Sequence, residues 1–296
     1  MTLVIGATGV LGREIVGRLR AEGRPVRALV RSTTDGGKRQ ALQAMGAELV
    51  TGDLKDPASV ERACHGATHV ISTASSTLSR AEGDSIDSVD RVGQITAIRA
   101  AKKAGVKQFV LVSFPESAID YPLQDAKREA EQALQASGMT YTILRVTFFW
   151  EIWCSPALGF DVAARKARLF GDGTGRMNWI SLADVAAVAV RSLDHEMARN
   201  RVLTFGGPDV VSQREIVGLF EKALGAKFEV EHVPVEALRQ QHAQATDPIH
   251  KSFAALMLII AEGGWVFDHE PIRKAMHPGF ASIRDVAKAA GAAQRE

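Results

Sequence analysis

Cysteine is scarce in this sequence, and so are long hydrophobic runs. Two cysteines, Cys64 and Cys154, occur among 296 residues, which is too few for a disulfide framework and suits a reducing compartment. We expect each to be a small buried apolar residue. The longest apolar stretch, residues 253–261, is about half the length that a helix needs to span a bilayer. The sequence therefore predicts neither a disulfide-stabilised secreted domain nor a membrane-spanning helix.

An excess of one charge is also missing. Lysine and arginine number 36 and the acidic residues 34, so the formal net charge is +2, and the basic residues are scattered. This distribution argues against a nucleic-acid partner. The eight histidines, among them His232, His242 and His250, show no metal-ligand spacing, and we predict no metal site. Because the first predicted strand begins at residue 2, no signal peptide is expected, and the predicted location is the cytoplasm.

What the sequence does contain is a glycine pattern directly after its first apolar run. The run at residues 3–5 ends at Gly6, Gly9 and Gly12 follow at three-residue spacing, and an amphipathic segment continues to Gly23. This order of strand, turn and helix suits a dinucleotide, because backbone N–H groups approach the pyrophosphate at the positive helix N-terminus. The spacing is GxxGxxG rather than GxGxxG. The alternative is a loop that is merely rich in glycine.

Strand-like and helix-like segments alternate through the first half of the chain. Apolar strand-like runs lie at residues 3–5, 25–30, 48–51, 69–73, 108–113 and 141–144. Helical spacing is found between them, at residues 38–45, from the Asp56-Pro57 start signal onward, at 86–104 and at 122–136. Buried strands separated by helices of this length predict an α/β fold with a doubly wound parallel sheet of the Rossmann type.

The alternation stops after Arg145. Crowded aromatics, a glycine-rich turn and short strand-like segments follow, at residues 148–153, 171–175, 202–205 and 228–233. We therefore expect a dinucleotide-binding domain at residues 1–150, with 176–200 packing against it, and a smaller C-terminal substrate lobe at 151–296. No linker rich in proline or serine separates the two parts, which predicts a shared interface.

Two further sequences in this region are typical of helix starts. Ser181 is followed three residues later by Asp184, and Ser212 by Glu215. Both have the spacing of a capping box, and an apolar helical pattern follows each. We assign these four residues to helix N-termini rather than to catalysis.

Beyond the glycine pattern, several motifs make the chain resemble a known family. They are Arg-Ser after the second strand, Gly-Asp-Leu at 52–54, Ala-Gly-Val-Lys at 104–107, Leu-Val-Ser at 111–113, Lys127 with Glu131, Ser-Gly at 137–138, Tyr-Thr-Ile-Leu-Arg at 141–145 and Trp-Ile-Ser-Leu-Ala-Asp-Val at 179–185. The chain resembles the atypical short-chain dehydrogenases/reductases, and within them the NmrA-like and isoflavone-reductase-like group, which includes quinone and triphenylmethane-dye reductases. The resemblance covers roughly residues 1–230. It implies NADP(H) at the carboxyl ends of the strands and a substrate between the sheet and the C-terminal lobe.

The sequence departs from the wider family in its tyrosines. Typical members use Tyr-x-x-x-Lys, in which the tyrosine is the acid/base. Only Tyr121 and Tyr141 occur here, and four residues after them stand Asp125 and Arg145. The dyad is therefore absent, which disfavours sugar-nucleotide epimerase chemistry, a further activity of related folds that relies on the tyrosine.

Arg31 predicts which dinucleotide is bound. Binders of NAD carry an acidic residue about 20 positions after the glycines, at the end of the second strand. Arg31 and Ser32 stand there instead. A guanidinium would bind a 2′-phosphate that a carboxylate would repel, so NADP(H) is expected to be preferred over NAD(H). Arg13 is a second candidate for a phosphate contact. The alternative for Arg31 is a solvated arginine at a strand end.

Other cofactor contacts are implied by the resemblance. It places adenine near Asp53, the central ribose near Thr73 and Ala74, and the nicotinamide near Thr147 and Phe148. Ser113, at the end of the fifth strand, is expected to face the nicotinamide, and its alternative is simple strand capping. The predicted cofactor-binding residues are Gly6, Thr8, Gly9, Val10, Leu11, Gly12, Arg31, Ser32, Asp53, Leu54, Thr73, Ala74, Ser113, Lys127, Thr147 and Phe148.

Lys127 is the candidate catalytic residue. By resemblance it corresponds to the lysine of the lost dyad, which implies that it holds the ribose hydroxyls of the nicotinamide half and transfers a proton. The alternative is an ordinary exposed ion pair on a helix, because Glu131 follows four residues later.

The substrate side is predicted from aromatic residues that follow the sixth strand. Phe149, Trp150 and Trp153, together with Phe114, are expected to form an apolar wall for a flat or hydrophobic substrate. The equally open alternative is that the cluster is core where the lobe meets the sheet. In the tail, Phe253 and Met257 have the same two interpretations, and there core is favoured.

Two functions remain open from the sequence. The first is an NADPH-dependent oxidoreductase that reduces a small apolar acceptor, such as a quinone, an enone or an aromatic compound, without the tyrosine. The second is a non-catalytic NADP(H)-binding redox sensor or regulator that acts through a protein partner. Homodimer formation is left open as well. The aromatic wall and the substantial lobe favour the enzyme, although a fold by itself does not establish function.

Overall fold

The computed structural model describes residues 1–78, 81–277 and 279–293. Its strands are β1 (Thr2–Ile5), β2 (Val26–Val30), β3 (Glu48–Thr51), β4 (His69–Ser72), β5 (Gln108–Ser113), β6 (Thr140–Val146), β7 (Phe160–Asp161), β8 (Lys166–Phe170), β9 (Arg176–Asn178), β10 (Arg201–Phe205), β11 (Val210–Ser212) and β12 (Glu229–Val233). The α-helices are α1 (Val10–Ala21), α2 (Gly36–Ala44), α3 (Pro57–Cys64), α4 (Val92–Lys103), α5 (Pro122–Ala136), α6 (Trp150–Trp153), α7 (Leu182–Arg191), α8 (Gln213–Leu224), α9 (Val235–Gln244), α10 (Pro248–Glu262), α11 (Glu270–Met276) and α12 (Ile283–Ala293). None of the helices in these ranges combines the length and the apolar composition that a membrane-spanning helix needs.

Seven strands form one parallel sheet in the order β10-β6-β5-β4-β1-β2-β3. The chain runs outward from β1 to β3, then returns to place β4 on the other side of β1. This confirms the predicted doubly wound α/β fold. The reversal of strand order between β1 and β4 opens a crevice at their carboxyl ends, which is where ligands bind in such sheets.

Helices cover both faces of this sheet. Apolar residues of α1 and α7 pack on one face, in a buried cluster that includes Ile15 and Val188. Residues of α3, α4 and α5 pack on the other, in a cluster that includes Val60 and Leu134. The two-sided burial explains why the strands read as continuous apolar runs.

A third apolar core belongs to the C-terminal part of the chain. Two small sheets, β11-β9 and β12-β8-β7, lie here together with α8, α9 and α10. Their cluster contains Phe148, Trp153 and Trp265 beside aliphatic residues of α8 and α10. Strand β10 pairs with β6 at the edge of the large sheet, so residues 201–205 belong to that sheet rather than to the predicted C-terminal lobe.

Two local predictions are corrected by the structure. The segment predicted as one helix at 86–104 begins instead with a π-helical stretch, Ile86–Arg91, before α4. Ser181 caps α7 by accepting from the backbone N–H of Ala183, but Asp184 does not complete a capping box. Its carboxylate binds His277 and the backbone N–H of Ala281 instead, because that later segment packs against α7. The box of Ser212 and Glu215 is confirmed.

Candidate active site

The glycine turn joins β1 to α1 at the strand-order reversal. Gly6 has φ +83°, and a Cβ there would lie 2.7 Å from Thr73 Oγ1 after β4. A Cβ on Gly12 would lie 2.1 Å from the carbonyl oxygen of Gly6, so the helix starts directly against the turn. No side chain caps α1, and its first turn has no acidic residue. The N-terminus of α1 is therefore suited to a ligand anion.

Two joined cavities lie along this edge of the sheet. The first, which we call the apolar cavity, has a volume of about 260 Å³. The second, the polar cavity, has a volume of about 420 Å³. They share wall residues at the glycine turn and after β4, which are Gly9, Val10, Thr73, Ser75 and Leu78. One elongated ligand can therefore extend through both, past the N-terminus of α1.

Most predicted cofactor-binding residues line these two cavities. The turn residues Gly6, Thr8, Gly9 and Val10 border the polar cavity with Arg31, Asp53, Leu54, Thr73 and Ala74. The apolar cavity is bordered by Gly9, Val10, Leu11, Gly12, Thr73, Ser113, Lys127, Thr147 and Phe148. Ser32 borders neither of them and lines a neighbouring depression with Arg31 and Asp53. The structure thus brings the set together, and the binding role of each member stays a prediction.

Lys127 is not part of an exposed pair on α5. Its side chain is 4% exposed, and its Nζ lies 3.0 Å from Oδ1 of Asp90, which is fully buried. Nζ also lies 3.4 Å from the carbonyl oxygen of Ala74. The exposed-pair alternative with Glu131 is therefore wrong, because Glu131 is buried too and binds Arg128 and Arg145 instead.

Asp90 connects Lys127 to the chain that leaves β4. Its Oδ2 accepts hydrogen bonds from the backbone N–H of Ser76 at 2.9 Å and from Ser76 Oγ at 2.6 Å. Gln94 Nε2 donates to the carbonyl oxygen of Ala74. Buried polar groups of two helices thus fix the backbone at 74–76 on the cavity wall, since leaving any of them unpaired would be costly.

Ser113 lies at the end of β5, on the wall of the apolar cavity, and it is 3% exposed. Its Oγ accepts a hydrogen bond from Arg128 Nη2 at 3.0 Å, and the same nitrogen lies 2.6 Å from the carbonyl oxygen of Phe114. Among the described residues, this oxygen takes part in no hydrogen bond other than the one from Arg128. Ser113 therefore has a hydrogen bond to donate to a ligand.

Thr147 carries a second hydroxyl close to this wall. Its Oγ1 is buried and has no hydrogen-bond partner among the residues that the structure describes, while Thr147 lines the apolar cavity directly after β6. Buried hydroxyls are normally paired. A Cβ added at Gly206 would lie 2.9 Å from this oxygen, so the hydroxyl faces the protein rather than the open cavity.

The remaining wall of the apolar cavity is hydrophobic. Of the predicted substrate-binding residues, Phe114, Phe149 and Trp153 line it. Trp150 lies outside its wall and is buried in the core of the lobe. Phe148 stacks on Trp265, with ring centroids 4.9 Å apart, and meets the edge of Trp153. The cluster is therefore both core and wall.

Neither tyrosine lies on the cavity walls. Tyr121 is 1% exposed, stacks on Phe114, and has no hydrogen-bond partner for its hydroxyl within the described ranges. Burial raises the pKa of this phenol above its ordinary value. Leu123, one turn before Lys127, borders the apolar cavity instead.

Several residues that line or support the apolar cavity are not predicted by the sequence. Trp265, Leu158 and Leu256 line the apolar cavity from distant parts of the chain, and no local pattern marks them. Phe253 also lines it, whereas Met257 packs behind it in the core. The burial of Asp90 could have been predicted, because this residue stands four positions after Ile86, on the face that packs inward. A carboxylate on an apolar face predicts a buried partner.

At the other end, charged side chains surround the polar cavity. Arg13, Arg31 and Lys38 contribute positive charge, and Asp53 and Asp84 negative charge. Arg31 Nη1 lies 2.6 Å from Asp84 Oδ2, so the arginine is not simply solvated. Across the residues that the structure covers, no group of His, Cys, Asp or Glu is arranged to hold a metal ion.

These features define a doubly wound α/β protein whose candidate site lies at the carboxyl edge of the sheet, beside the C-terminal part of the chain. A model of the NmrA-like family matches residues 1–265. The chain belongs to this family, which confirms the resemblance seen in its motifs.

Proteins that are similar to this chain in sequence are named for different roles. The chain is 32% identical over 239 residues to photosystem II assembly factor Ycf39 of Trieres chinensis, a match that covers 80% of this chain and 73% of that protein. It is 31% identical over 245 residues to an NAD(P)H azoreductase of Xenophilus azovorans, covering 81% of this chain and 79% of that protein.

Among solved structures, the fold is similar to that of an NADPH-dependent quinone oxidoreductase of Escherichia coli in complex with NADPH. The TM-score is 0.77, the sequence identity is 22%, and the match covers 98% of this chain and 99% of that one. The agreement extends over the C-terminal lobe as well as the parallel sheet.

Proposed function

We propose that this protein is an NADPH-dependent oxidoreductase that reduces a small apolar acceptor. The observation that carries the proposal is the pair of joined cavities: a polar one that holds Arg31 and an apolar one that holds Lys127 and Ser113, meeting at the glycine turn. The named reductases among the relatives and similar structures support it. When bound, NADPH supplies a hydride to the acceptor.

The residues present fit this cofactor. The uncapped N-terminus of α1 would hold the pyrophosphate. Arg31 would bind the 2′-phosphate, and Lys127 would hold hydroxyls of the nicotinamide ribose. Thr147, on the cavity wall directly after β6, would lie beside the nicotinamide. Each role uses a group whose side chain or backbone already borders a cavity.

The chain's own residues position the acceptor and exclude water from it. Phe149, Trp153 and Trp265 form an apolar surface on which a flat acceptor can stack. Ser113 would donate its free hydroxyl proton to an acceptor oxygen, and Arg128, bound to Ser113 Oγ, strengthens that hydrogen bond. The missing tyrosine is then not required for orientation of the acceptor, and Lys127 or water supplies the proton.

The proposal is tested by NADPH oxidation with a panel of quinones, enones and azo or triphenylmethane dyes. We expect turnover with part of the panel, and we expect Phe149→Ala to change KM across it while leaving NADPH affinity within about twofold of the native value. Phe280→Ala is the matched control, because Phe280 packs on the same core cluster as Phe149 without lining either cavity. Absence of turnover with every acceptor, at saturating NADPH, would contradict the proposal.

A second prediction concerns the choice of cofactor. Replacing Arg31 with aspartate removes the cation and adds a carboxylate where the 2′-phosphate would lie. We expect the preference for NADPH over NADH to fall or invert by at least about tenfold, or roughly 1.4 kcal/mol. Fluorescence titration of both cofactors against both proteins measures it. Equal affinities in the native protein would refute the assignment of Arg31.

A regulatory role through a protein partner is the second candidate. It is favoured by the similarity to a protein named as an assembly factor and by the missing tyrosine. Under this alternative the protein binds NADPH, but no acceptor in the panel is reduced.

A further inference from the structure

The polar cavity already contains an anion of the protein's own next to Arg31. Asp84 Oδ2 lies 2.6 Å from Arg31 Nη1, and its other oxygen accepts a hydrogen bond from Lys55 Nζ. The side chain of Asp84 is 3% exposed, against 36% for Arg31. Asp84, whose carboxylate is almost fully buried, therefore binds Arg31, the residue to which we assign the preference for NADPH.

Asp84 is also held firmly in position. The next residue, Ser85, begins the π-helical stretch with a capping box: Ser85 Oγ accepts from the backbone N–H of Ser88, and Ser88 Oγ accepts from that of Ser85. Such reciprocal hydrogen bonds fix the backbone at a helix start. The carboxylate is thus presented to Arg31 by a structured turn.

Four charged side chains at this corner are joined by ion pairs. Lys55 Nζ lies 3.1 Å from Asp53 Oδ2 as well, so Arg31, Lys55, Asp53 and Asp84 together carry no formal net charge. Burial lowers the pKa of the Lys55 ammonium, but its hydrogen bonds to Asp84 and Asp53 outweigh that effect and raise it. Lys55 therefore stays cationic at neutral pH. A 2′-phosphate arriving at Arg31 meets a carboxylate as well as a guanidinium.

We propose that Asp84 determines the cofactor selectivity of this site. Its carboxylate competes with the 2′-phosphate of NADPH for Arg31 and offers an acceptor to the 2′-hydroxyl of NADH. Dinucleotide-binding folds use a carboxylate for the hydroxyl and an arginine for the phosphate, and here both groups border one cavity, 2.6 Å apart. The inference rests on the proposed function, and it implies a modest native preference for NADPH.

The test is the ratio of the dissociation constants for NADH and NADPH, measured by fluorescence titration, with adenosine 2′,5′-bisphosphate and AMP as fragment probes. We expect Asp84→Asn to raise the ratio about tenfold, or roughly 1.4 kcal/mol, since removal of a neighbouring carboxylate strengthens phosphate binding. The bisphosphate should gain affinity in parallel, and AMP should not. Asp84→Glu keeps the charge and should keep the native ratio.

Two further variants serve as a charge control and as an alternative test. Asp87→Asn removes the same charge three residues away, from a side chain that is 69% exposed and borders neither cavity, and it should leave the ratio unchanged. Lys55→Gln frees Asp84 of one cation at a partly exposed position, and should lower the ratio severalfold even if Asp84→Asn does not fold.

The outcomes separate the two proposals. If the native protein binds neither NADPH nor the bisphosphate, the proposed function fails. If it binds NADPH but the ratio stays the same in Asp84→Asn, or in Lys55→Gln where Asp84→Asn is unfolded, then Asp84 does not set selectivity.

Discussion

Gly9→Val is expected to abolish NADPH binding while the protein stays folded. Gly9 borders both cavities, so a side chain there enters the space through which one ligand would extend. Its backbone is extended, with φ −78°, and a Cβ would meet the carbonyl oxygen of Gly6 at 3.3 Å, which a small shift relieves. Affinity should fall at least about a hundredfold, or roughly 2.7 kcal/mol.

Titration of NADPH measures this loss, and circular dichroism and thermal unfolding check the fold. Gly17→Val is the matched control, because it places the same side chain on the same helix where a Cβ meets nothing within 4 Å. Gly12 is unsuitable, since a Cβ there would lie 2.1 Å from backbone. Normal NADPH binding by Gly9→Val would mean that the dinucleotide does not cross the glycine turn.

Lys127→Met is expected to destabilise the protein strongly. The substitution leaves the carboxylate of Asp90, which is fully buried, without its cation. Breaking a buried ion pair by removing one partner costs about 3–5 kcal/mol. We expect a loss of that size in the free energy of unfolding measured with urea. The double variant Lys127→Met with Asp90→Asn should recover part of this stability, because asparagine at position 90 carries no buried charge.

Lys103→Met provides the comparison, because Lys103 pairs with Glu61 but is 70% exposed, and exposed pairs contribute only about 0–1 kcal/mol. Unchanged stability of Lys127→Met would show that the pair with Asp90 is not a buried ion pair in solution. In the double variant, a fall in kcat of about 10²–10⁴-fold with a small loss of NADPH affinity would assign proton transfer to Lys127. A loss confined to affinity would leave it the role of holding the cofactor.

The parallel sheet and the glycine turn could be predicted because their signals are local. Apolar runs that end at glycine or serine, and helices that are capped by Asp56 and Ser212, depend only on neighbours in sequence. The residue patterns of helix caps and buried strands extend over only a few neighbouring residues, so they can be recognised in a single sequence. The glycine turn belongs to the same class, since Gly6 and Gly12 meet within one strand-turn-helix unit.

Tertiary structure alone decided how the charged residues of the site are paired. Lys127 has an obvious helical neighbour in Glu131, yet its partner is Asp90 on another element, and Arg31 meets Asp84, 53 positions later. Electrostatic partners of buried groups are chosen by proximity in the folded chain, because a buried charge must be paired by whichever group packs against it. The sequence by itself determined the fold, the family and the place of the turn; the folded chain decided that Trp150 is core, that Trp265 is wall and that a carboxylate holds Arg31.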